Sequence, residues 1–469
     1  MTAPPVSGPD RTLRLLLLGF AGASLAFVPS WFRILDGTWP AWCLAVHSLA
    51  LTALAMRMGQ GGGPPARAVV ALCLFAAVVP SVFLIGMRAA TLPWQYVHDS
   101  AVQTEEAMAF LLAGRNPYVE SYASTPMARV PFFGGKNPAL EHVVYYPGSF
   151  LVPLPVFGVC RLATGRYDHR LFLLLAYGAM LLGAWRAAPE CWKRHVLVAV
   201  GLNPAFLFYL IQGANDSAVT GLLFLAFALV CKGPGASRSC GGSDLSTWGS
   251  GLGACEGPEA GDHAPRPEES SARPPSASKP ELGLSTPDSR LCPLASLLLA
   301  AALVGVACSV KQTAWFFAVL FVADVAGRAG YRRGGLVLGA VFAAGAALTL
   351  PFVLWDPGAF LDDTYAYLAG TAKESYPAAG LSVASLVEGL GLARPAPRWL
   401  FSALQLGLVL PALLAAAWFQ WCRPGPAGLA FRYSLVVTAS FVCARYFNAS
   451  HLAYVSLFFV ASWFLDADS

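Results

Sequence analysis

Long, almost uncharged apolar runs are the feature that most constrains the fold of this chain. The run 68–90, for example, contains a single charged residue, Arg88. Runs of about 20 apolar residues have the length that crosses a lipid bilayer as a helix. Only 12% of all residues are charged, whereas soluble domains carry roughly 25%. The sequence therefore predicts an all-α, multi-pass integral membrane protein.

Apolar runs recur along the whole chain and predict a polytopic bundle of about 11–13 transmembrane helices. The runs lie at 12–34, 39–56, 68–90, 149–163, 170–186, 195–211, 217–231, 294–323, 335–354, 399–420, 428–444 and 450–465. Lys311 lies in the middle of the longest run, 294–323. A charge in the centre of the bilayer is costly, so this run is not expected to be a single span. This predicts a helical hairpin with limbs 294–309 and 312–327 and with Lys311 at the outer surface.

The number of crossings stays open at one place. Arginines near the N-terminus put that end inside, and the third run then delivers residues 91–146 to the outer side. If Lys193 and Arg194 lie inside, an odd number of crossings must separate them from the outer loop. The sequence has two apolar runs in that interval. Either one of the runs 149–163 and 170–186 does not cross, or a later helix is re-entrant.

A polar segment divides the chain into two membrane halves. Residues 232–293 are rich in Gly, Ser, Pro and charge and have few bulky apolar residues. Such a composition cannot bury enough apolar surface to offset the entropy of ordering. We therefore predict a disordered loop at 232–293. It separates an N-terminal half, 1–231, which carries the large outer loop 91–146, from a C-terminal half, 294–469.

Short interfacial helices are expected at the outer surface. The outer loop contains a helical pattern at 103–113, and the residues after Pro357 have the pattern of an amphipathic helix. Asp356 is placed to cap this second helix, because a side-chain oxygen just before a helix accepts from its first free N–H groups.

Several function classes are excluded by charge and motif. The net charge of +5 is small for 469 residues and gathers as arginines at the ends of apolar runs, so we expect no nucleic-acid partner. Walker A, HExxH, GxSxG and dinucleotide motifs are absent from the sequence. No metal-ligand cluster is evident, although Asp99, Glu105 and Glu106 could hold a divalent ion. We therefore expect neither a metal nor another cofactor.

The outer loop begins with ionisable residues beside the hydrocarbon core, where such residues usually have a function. Asp99 could act as a general base towards a hydroxyl, and partial desolvation would raise its pKa. His98, Glu105 and Glu106 are candidate substrate contacts. The alternative is structural, since Asp99 could instead cap the helix that follows it.

A second motif of the outer loop ends that helix. Gly114 suits a helix stop, and Pro117 prevents continuation of the helix. Arg115, between them, could bind a phosphate or could be a solvated side chain.

Further polar clusters lie at the ends of later apolar runs. A buried carboxylate at Asp216 needs a partner such as Lys311. Lys311 and Arg445 could bind a lipid-linked phosphate or could anchor the chain at the interface. The neighbouring candidate substrate contacts are Gln212, Asn215, Gln312 and His451.

The order and spacing of the motifs carry a family resemblance over about residues 90 to 450. The motifs are Asp99 at the start of the first large outer loop, Gly114-Arg-Asn-Pro-Tyr118, Tyr145-Tyr-Pro147, Gln212-Gly-Ala-Asn-Asp216, Lys311-Gln312 and Leu350-Pro-Phe-Val-Leu-Trp355. The chain resembles the GT-C superfamily of polytopic glycosyltransferases. Within it, the chain is most similar to the polyprenyl-phosphate-sugar enzymes of glycosyltransferase family 87, which includes bacterial mannosyltransferases.

The resemblance implies a GT-C fold in the bacterial plasma membrane with an active site that faces outward. The donor would be a hexose, with mannose as one candidate, on a polyprenyl phosphate, and the acceptor would be a lipid or a cell-envelope glycan. Asp99 would deprotonate the acceptor hydroxyl, with inversion at the anomeric carbon. Lys311, Arg445 and Arg115 would hold the donor phosphate.

Two other functions stay open. A transporter or flippase of lipid-linked sugars would use the same ionisable residues as a pathway, but it would need charges deep within several membrane spans. A non-catalytic subunit of an envelope-assembly complex would tolerate substitution of Asp99.

Overall fold

The computed structural model describes residues 8–60, 64–131, 137–231, 293–392 and 398–465. It is 77% helical with almost no strand, as the all-α prediction requires. Within the described ranges, six helical segments are long and apolar enough to cross a membrane, or seven if one bent pair is counted as a single span. Residues 232–292, nearly all of the predicted disordered loop, lie outside the described residues.

The N-terminal half consists of helices joined by short turns, apart from residues 91–146, the predicted outer loop, for which this name is kept. Its helices are α1 Gly8–Ala26, α2 Val28–Ile34, α3 Trp39–Gln60, α4 Ala66–Ala90, α5 Asp99–Leu112, α6 Gly148–Leu151, α7 Leu154–Thr164, α8 Arg170–Ala187, α9 Lys193–Gly201, α10 Pro204–Gln212 and α11 Asp216–Cys231. Short 3₁₀ turns at Tyr122–Ser124, Pro126–Arg129 and Pro138–Leu140 lie in the outer loop. The bent pair is α9 and α10, which meet at 51° where Pro204 lacks the N–H that would continue the helix.

The C-terminal half is also helical, with one very short ladder. Its helices are α12 Leu294–Val310, α13 Thr313–Ala329, α14 Tyr331–Trp355, α15 Pro357–Leu361, α16 Tyr367–Ala369, α17 Val383–Gly389, α18 Arg398–Leu404, α19 Leu410–Cys422, α20 Pro426–Val442 and α21 Ala449–Ser462. π-Helical turns at Asp362–Ala366 and Gln405–Val409 continue neighbouring helices. Strands β1 Ala379–Gly380 and β2 Tyr446–Phe447 pair in parallel.

Contacts between helix termini define two ends of the bundle. At the upper end, Arg88 near the end of α4 pairs with Asp168 before α8 (3.0 Å). There too, Asp216 at the start of α11 pairs with Lys311 at the end of α12. At the lower end, the amide of Gln420 in α19 donates to a carboxylate of α13 (2.6 Å).

The predicted hairpin around Lys311 is confirmed. Helix α12 ends at Val310 and α13 begins at Thr313, and Lys311 between them has extended backbone (φ −151°). Its ammonium group lies at the upper end, where it pairs with Asp216.

The segment of α6 and α7 bears on the open question of the crossings. Gly148 packs against Ser309, close to Lys311 at the upper end. After α7, Arg166 donates to the carbonyl of Ala89 (3.1 Å), which is also at the upper end. The run 149–163 therefore starts and finishes at the same end of the bundle, whereas α8 runs from the upper end to the lower end.

A separate layer covers the upper end. It joins the outer loop to α14 and α15 through a cluster of buried aromatic side chains. The cluster includes Tyr118, Tyr122, Phe150, Phe352 and Phe360. The short helix predicted after Pro357 is present as α15, and Asp356 caps it by accepting from the N–H of Ala359 (2.9 Å).

Helices α8 and α11 approach each other so closely that only glycine fits at their crossing. A Cβ atom at Gly183 would overlap the backbone of Phe224, and a Cβ atom at Gly221 would overlap the carbonyl of Ala176. Small residues at such crossings let two membrane helices make extensive van der Waals contact. This contact fixes the start of α11, and with it the position of Asp216.

We expect Gly183→Val to lower the free energy of unfolding by more than the ~1–3 kcal/mol typical of overpacking, because the clash is with backbone that cannot move aside. Gly178→Val in the same helix is the matched control, since nothing lies within 4 Å of its Cβ position. Thermal unfolding of the purified protein in detergent measures both. Equal melting temperatures for the two variants would contradict the close approach of the helices.

Candidate functional site

The candidate site is built around the start of α5. His98 is the N-cap residue and Asp99 is the first residue of the helix. The N–H of His98 donates to the carbonyl of Gln212 (2.7 Å), and the hydroxyl of Ser100 donates to the carbonyl of Gly213 (3.2 Å). These bonds hold the α5 terminus against the turn between α10 and α11. The His98 and Asp99 side chains are 32% and 31% exposed, so both can reach a ligand.

Asp99 forms a dyad with its neighbour. Nδ1 of His98 lies 2.7 Å from Oδ1 of Asp99, and the same oxygen accepts from the N–H of Ser100 (2.7 Å). Burial acts to raise the pKa of Asp99, but the charge and hydrogen bond of His98 outweigh burial and lower it. The expectation of a raised pKa for Asp99 was wrong in its net direction, because the sequence does not show how close the imidazole of His98 lies.

The predicted pairing of Asp216 with Lys311 is confirmed. The Lys311 ammonium contacts Oδ1 of Asp216 and lies 5.7 Å from the ring centre of Tyr454. Asp216 is buried, whereas the Lys311 side chain is 22% exposed. Both charges act on the pKa of His98, which places the ion pair close to the Asp99 dyad.

The charge of Asp99 acts on the pKa of four tyrosine hydroxyls, one in the outer loop and three in the C-terminal half, which places them in the neighbourhood of Asp99. They belong to Tyr145, Tyr367, Tyr376 and Tyr446. Burial is the main cause that raises the pKa of each hydroxyl, and the nearby charge of Asp99 adds to it. All four therefore stay protonated at neutral pH and can donate hydrogen bonds.

The β1–β2 ladder brings further candidates to the same end of the bundle. It brings the rings of Tyr376 and Tyr446 into tilted contact, with their centres 4.4 Å apart, and the ring centre of His451 lies 5.2 Å from that of Tyr446. The Arg445 guanidinium packs directly on Gly370, where a Cβ atom would overlap it. Gly370 has φ +79°, so this position combines a left-handed backbone with a close approach that only glycine allows.

Three predicted contacts use their side-chain amides within the protein. Gln212 donates to the carbonyl of Phe208 (3.0 Å), Asn215 to the hydroxyl of Thr104 (3.0 Å) and Gln312 to the carbonyl of Thr364 (2.7 Å). These bonds position the turns of the site. Gln212, Asn215 and Gln312 thus lie at the same end of the bundle as Asp99, but their amides bond to the protein itself.

Glu105 and Arg115 occupy other places than predicted. Both oxygens of Glu105 accept from Arg88 (2.9 and 2.7 Å), and among the residues that the structure describes, Asp99, Glu105 and Glu106 do not form a group with the spacing of metal ligands. Arg115 pairs with Glu120 (3.0 Å) beyond the far end of α5. Because α5 has 14 residues and so is about 20 Å long, a phosphate bound beside Asp99 does not reach Arg115.

Glu106 points into a different environment from Asp99. Burial first, and then the charge of Glu105, raises the pKa of Glu106, with Arg161 of α7 opposing this shift. Glu106 therefore lies with Glu105 and α7, six to seven residues along α5 from the dyad.

Sequence reasoning missed the residues that hold Glu105. Arg88 lies in the last turn of an apolar run, and Asp168 and Arg170 stand at the start of another. Ionisable residues in such positions are rarely unpaired, and this signal could have identified them.

One group of side chains in the described ranges has the spacing of metal ligands. It consists of His142, Asp362 and Asp363, whose ligand atoms lie within 4.8 Å of one another. The sequence does not reveal this group, because His142 is far from the two aspartates in the chain. The oxygens of Asp363 already contact Nδ1 of His142 (2.7 Å) and accept from the N–H of Val143 (2.8 Å). In this structure the group links the outer loop to the residues after α15.

The His142–Asp363 link is expected to weaken as pH rises. Burial raises the pKa of Asp363 from 3.8 to about 6. Burial acts to lower the pKa of His142, but the Asp363 hydrogen bond and charge outweigh it, so this pKa also lies above its ordinary 6.5. Both groups thus bind protons more tightly when folded, and the stability they contribute is present in acid and lost between pH ~4 and somewhat above pH 6.5.

Hydrogen exchange measures this pH dependence directly. After correction for the intrinsic exchange rate, the Val143 amide should be better protected at pH 5.5 than at pH 8. Asp363→Asn removes the acceptor carboxylate and should remove the difference. Protection that increases with pH would contradict the assignment.

The arrangement combines a partly exposed carboxylate, an imidazole, a cation and hydroxyl donors at one end of an apolar bundle. Such a group can accept a proton from a hydroxyl, hold an anion and bind a polyhydroxylated molecule. Comparisons with models of known families, with curated proteins and with solved structures each found no match to this chain.

Proposed function

We propose that this chain is an integral-membrane glycosyltransferase of GT-C type. It transfers a hexose, with mannose as one candidate, from a polyprenyl-phosphate sugar to a lipid or cell-envelope glycan acceptor. The observation that carries the proposal is that Asp99 and Lys311, 212 residues apart in the chain, lie at one end of an apolar bundle with tyrosine hydroxyls around them. A base, a cation for a phosphate and a surface for a sugar are the parts that this reaction requires.

Each part has a role in the proposed reaction. Asp99, ionised because its pKa is low, accepts the proton of the acceptor hydroxyl as the new glycosidic bond forms. His98 holds the carboxylate in place. Lys311 and Arg445 neutralise the phosphate that leaves with the polyprenyl chain, and Lys311 acts as a point charge. The tyrosine rings and hydroxyls bind the sugar.

We place twelve crossings in the membrane, within the predicted range. They are α1 with α2, α3, α4, α8, α9 with α10, α11, α12, α13, α14, α18 with α19, α20 and α21. Six or seven of these are supported by length and composition alone, and the alternation of helix ends supports the others. The upper end faces outward in this proposal, because arginines at the start of α1 and α4 favour the inside for the lower end.

The transporter alternative is less well supported. A transport pathway needs polar groups between the two ends of the bundle. Instead, the middle of the described bundle is filled by fully buried aromatic side chains, among them Phe224, Phe317 and Phe458. The ring centres of Phe224 and Phe458 are 5.2 Å apart. The ionisable pairs lie at the ends.

The experiment that tests the proposal is transfer of radiolabelled sugar from a panel of polyprenyl-phosphate sugars, in membranes that contain the overexpressed protein. Transfer from at least one donor to a lipid-extractable or glycan product, above membranes without the protein, is the expected result. If no donor supports transfer while a labelled lipid-linked sugar changes leaflet in proteoliposomes, the chain is a transporter.

A further inference from the structure

A network of charged side chains lies beneath the start of α5, apart from the proposed catalytic group. It joins two arginines and two carboxylates, which are Arg88, Glu105, Asp168 and Arg170. Arg170 is fully buried and the other three side chains are at most 12% exposed. A buried polar network of this kind is costly unless its members are satisfied.

All four carboxylate oxygens of the network accept hydrogen bonds. Those of Asp168 accept from Nε and Nη2 of Arg170 (2.8 and 2.7 Å). Those of Glu105 accept from Arg88 (2.9 and 2.7 Å), and the N–H of His169 adds a further bond to Glu105 (2.8 Å). The fork geometry of the two guanidinium groups makes these bonds directional.

The two arginines also donate hydrogen bonds to backbone carbonyls of the segment that leads into α5. Nε of Arg88 donates to the carbonyl of Pro93 (2.7 Å), and Nη1 of Arg170 donates to the carbonyl of Tyr96 (2.9 Å). The stem of Arg170 packs against Gly213, where an added Cβ atom would lie 3.3 Å from its Cγ. One side chain therefore contacts both the segment before Asp99 and the turn to which His98 is bonded.

Tyr96 has a left-handed backbone conformation, with φ +59°. This conformation is uncommon for residues other than glycine and persists where surrounding contacts determine it. The bond from Arg170 to the Tyr96 carbonyl is such a contact. It orients the peptide between Tyr96 and Val97, immediately before the dyad.

We infer that Arg170 is a positioning residue for Asp99: through the Tyr96 carbonyl and the turn at Gly213, it fixes the backbone that presents the Asp99 carboxylate to the substrates. The inference rests on the proposed role of Asp99 as the base. In this inference Glu105, which was predicted to contact the substrate, instead holds the guanidinium of Arg88 in place.

The test uses two substitutions that act by different routes. Arg170→Lys keeps the charge but loses the fork that contacts Asp168 and Tyr96. Tyr96→Val leaves Arg170 intact and places a β-branched residue where φ is positive, whereas Tyr96→Asn places there a residue that tolerates this conformation. Arg186→Lys, at the exposed far end of α8, is the control for Arg170→Lys.

Two measurements are made on each purified protein. In the transfer assay, Arg170→Lys should lower kcat at least tenfold with the donor KM within twofold of wild type, and Tyr96→Val should have a kcat at least tenfold below that of Tyr96→Asn. In hydrogen exchange without substrate, the amides of residues 98–102 should exchange faster in Arg170→Lys and Tyr96→Val, with the rest of the chain unchanged.

The outcomes separate this inference from the proposed function. Wild-type kcat in Arg170→Lys, or equal kcat in the two Tyr96 variants, overturns the positioning role. Faster exchange throughout the chain also overturns it, because Arg170 would then support the fold as a whole. If the wild type transfers no sugar, the proposed function fails, and exchange at 98–102 alone decides whether Arg170 sets this backbone.

Discussion

Asp99→Asn should lower sugar transfer by a factor of about 10²–10⁴, the usual contribution of a general base. The amide keeps the shape of the carboxylate and can still accept from the Ser100 N–H (2.7 Å in the wild type), but it cannot take the acceptor proton. Because the substrates still bind, we expect kcat to fall much more than the donor KM rises.

The assay compares wild type and variant in membranes at matched abundance. Asp36→Asn is the control, since Asp36 is exposed and its positive φ of 49° is equally suited to asparagine. Transfer at the wild-type rate by Asp99→Asn would remove Asp99 from the mechanism and favour its role as a helix-terminal residue. Such a result would leave the enzyme without its base.

Lys311→Met should have two large effects, one on stability and one on substrate binding. Removing one partner of a buried ion pair costs about 3–5 kcal/mol, and somewhat less here because Lys311 is 22% exposed. A charge-assisted contact with the donor phosphate contributes about 1.5–3 kcal/mol. The donor KM should therefore rise by roughly 10–150-fold.

The double variant Lys311→Met with Asp216→Asn separates these effects. It removes both charges of the pair, so the melting temperature should recover towards that of the wild type while the donor KM stays high. Lys373→Met, at an exposed position three residues before Tyr376, should change neither quantity. Recovery of both quantities in the double variant would show that Lys311 serves only the fold.

The secondary structure was largely predictable because its signals are local. The hairpin around Lys311, the cap at Asp356 and the end of α5 before Gly114 each depend on a few adjacent residues. The Asp216–Lys311 pair was also predictable, since each buried charge requires an opposite one.

The surroundings of individual side chains were not predictable, because they depend on which helices are neighbours. Glu105 belongs to Arg88 and not to Asp99 only because α4 and α5 meet at the upper end. Arg115 lies too far from Asp99 to share a ligand with it, because helix α5 between them is about 20 Å long. The run 149–163 has the composition of a membrane span, and only the contacts at both of its ends show that it returns to its starting side.

The ion pair between α11 and α12 also divides the chemistry between the two halves of the chain. Asp99 and Asp216 come from the first half, and Lys311 and Arg445 come from the second. In the proposed reaction the two acids and the two cations are thus contributed separately, and the ion pair that joins α11 to α12 also brings a proposed phosphate ligand to the end of the bundle where the proposed base lies. In the proposed mechanism, a shortened polypeptide that stops before residue 232 carries the proton acceptor but lacks Lys311 and Arg445 to receive the leaving phosphate, so neither half is a smaller version of the whole.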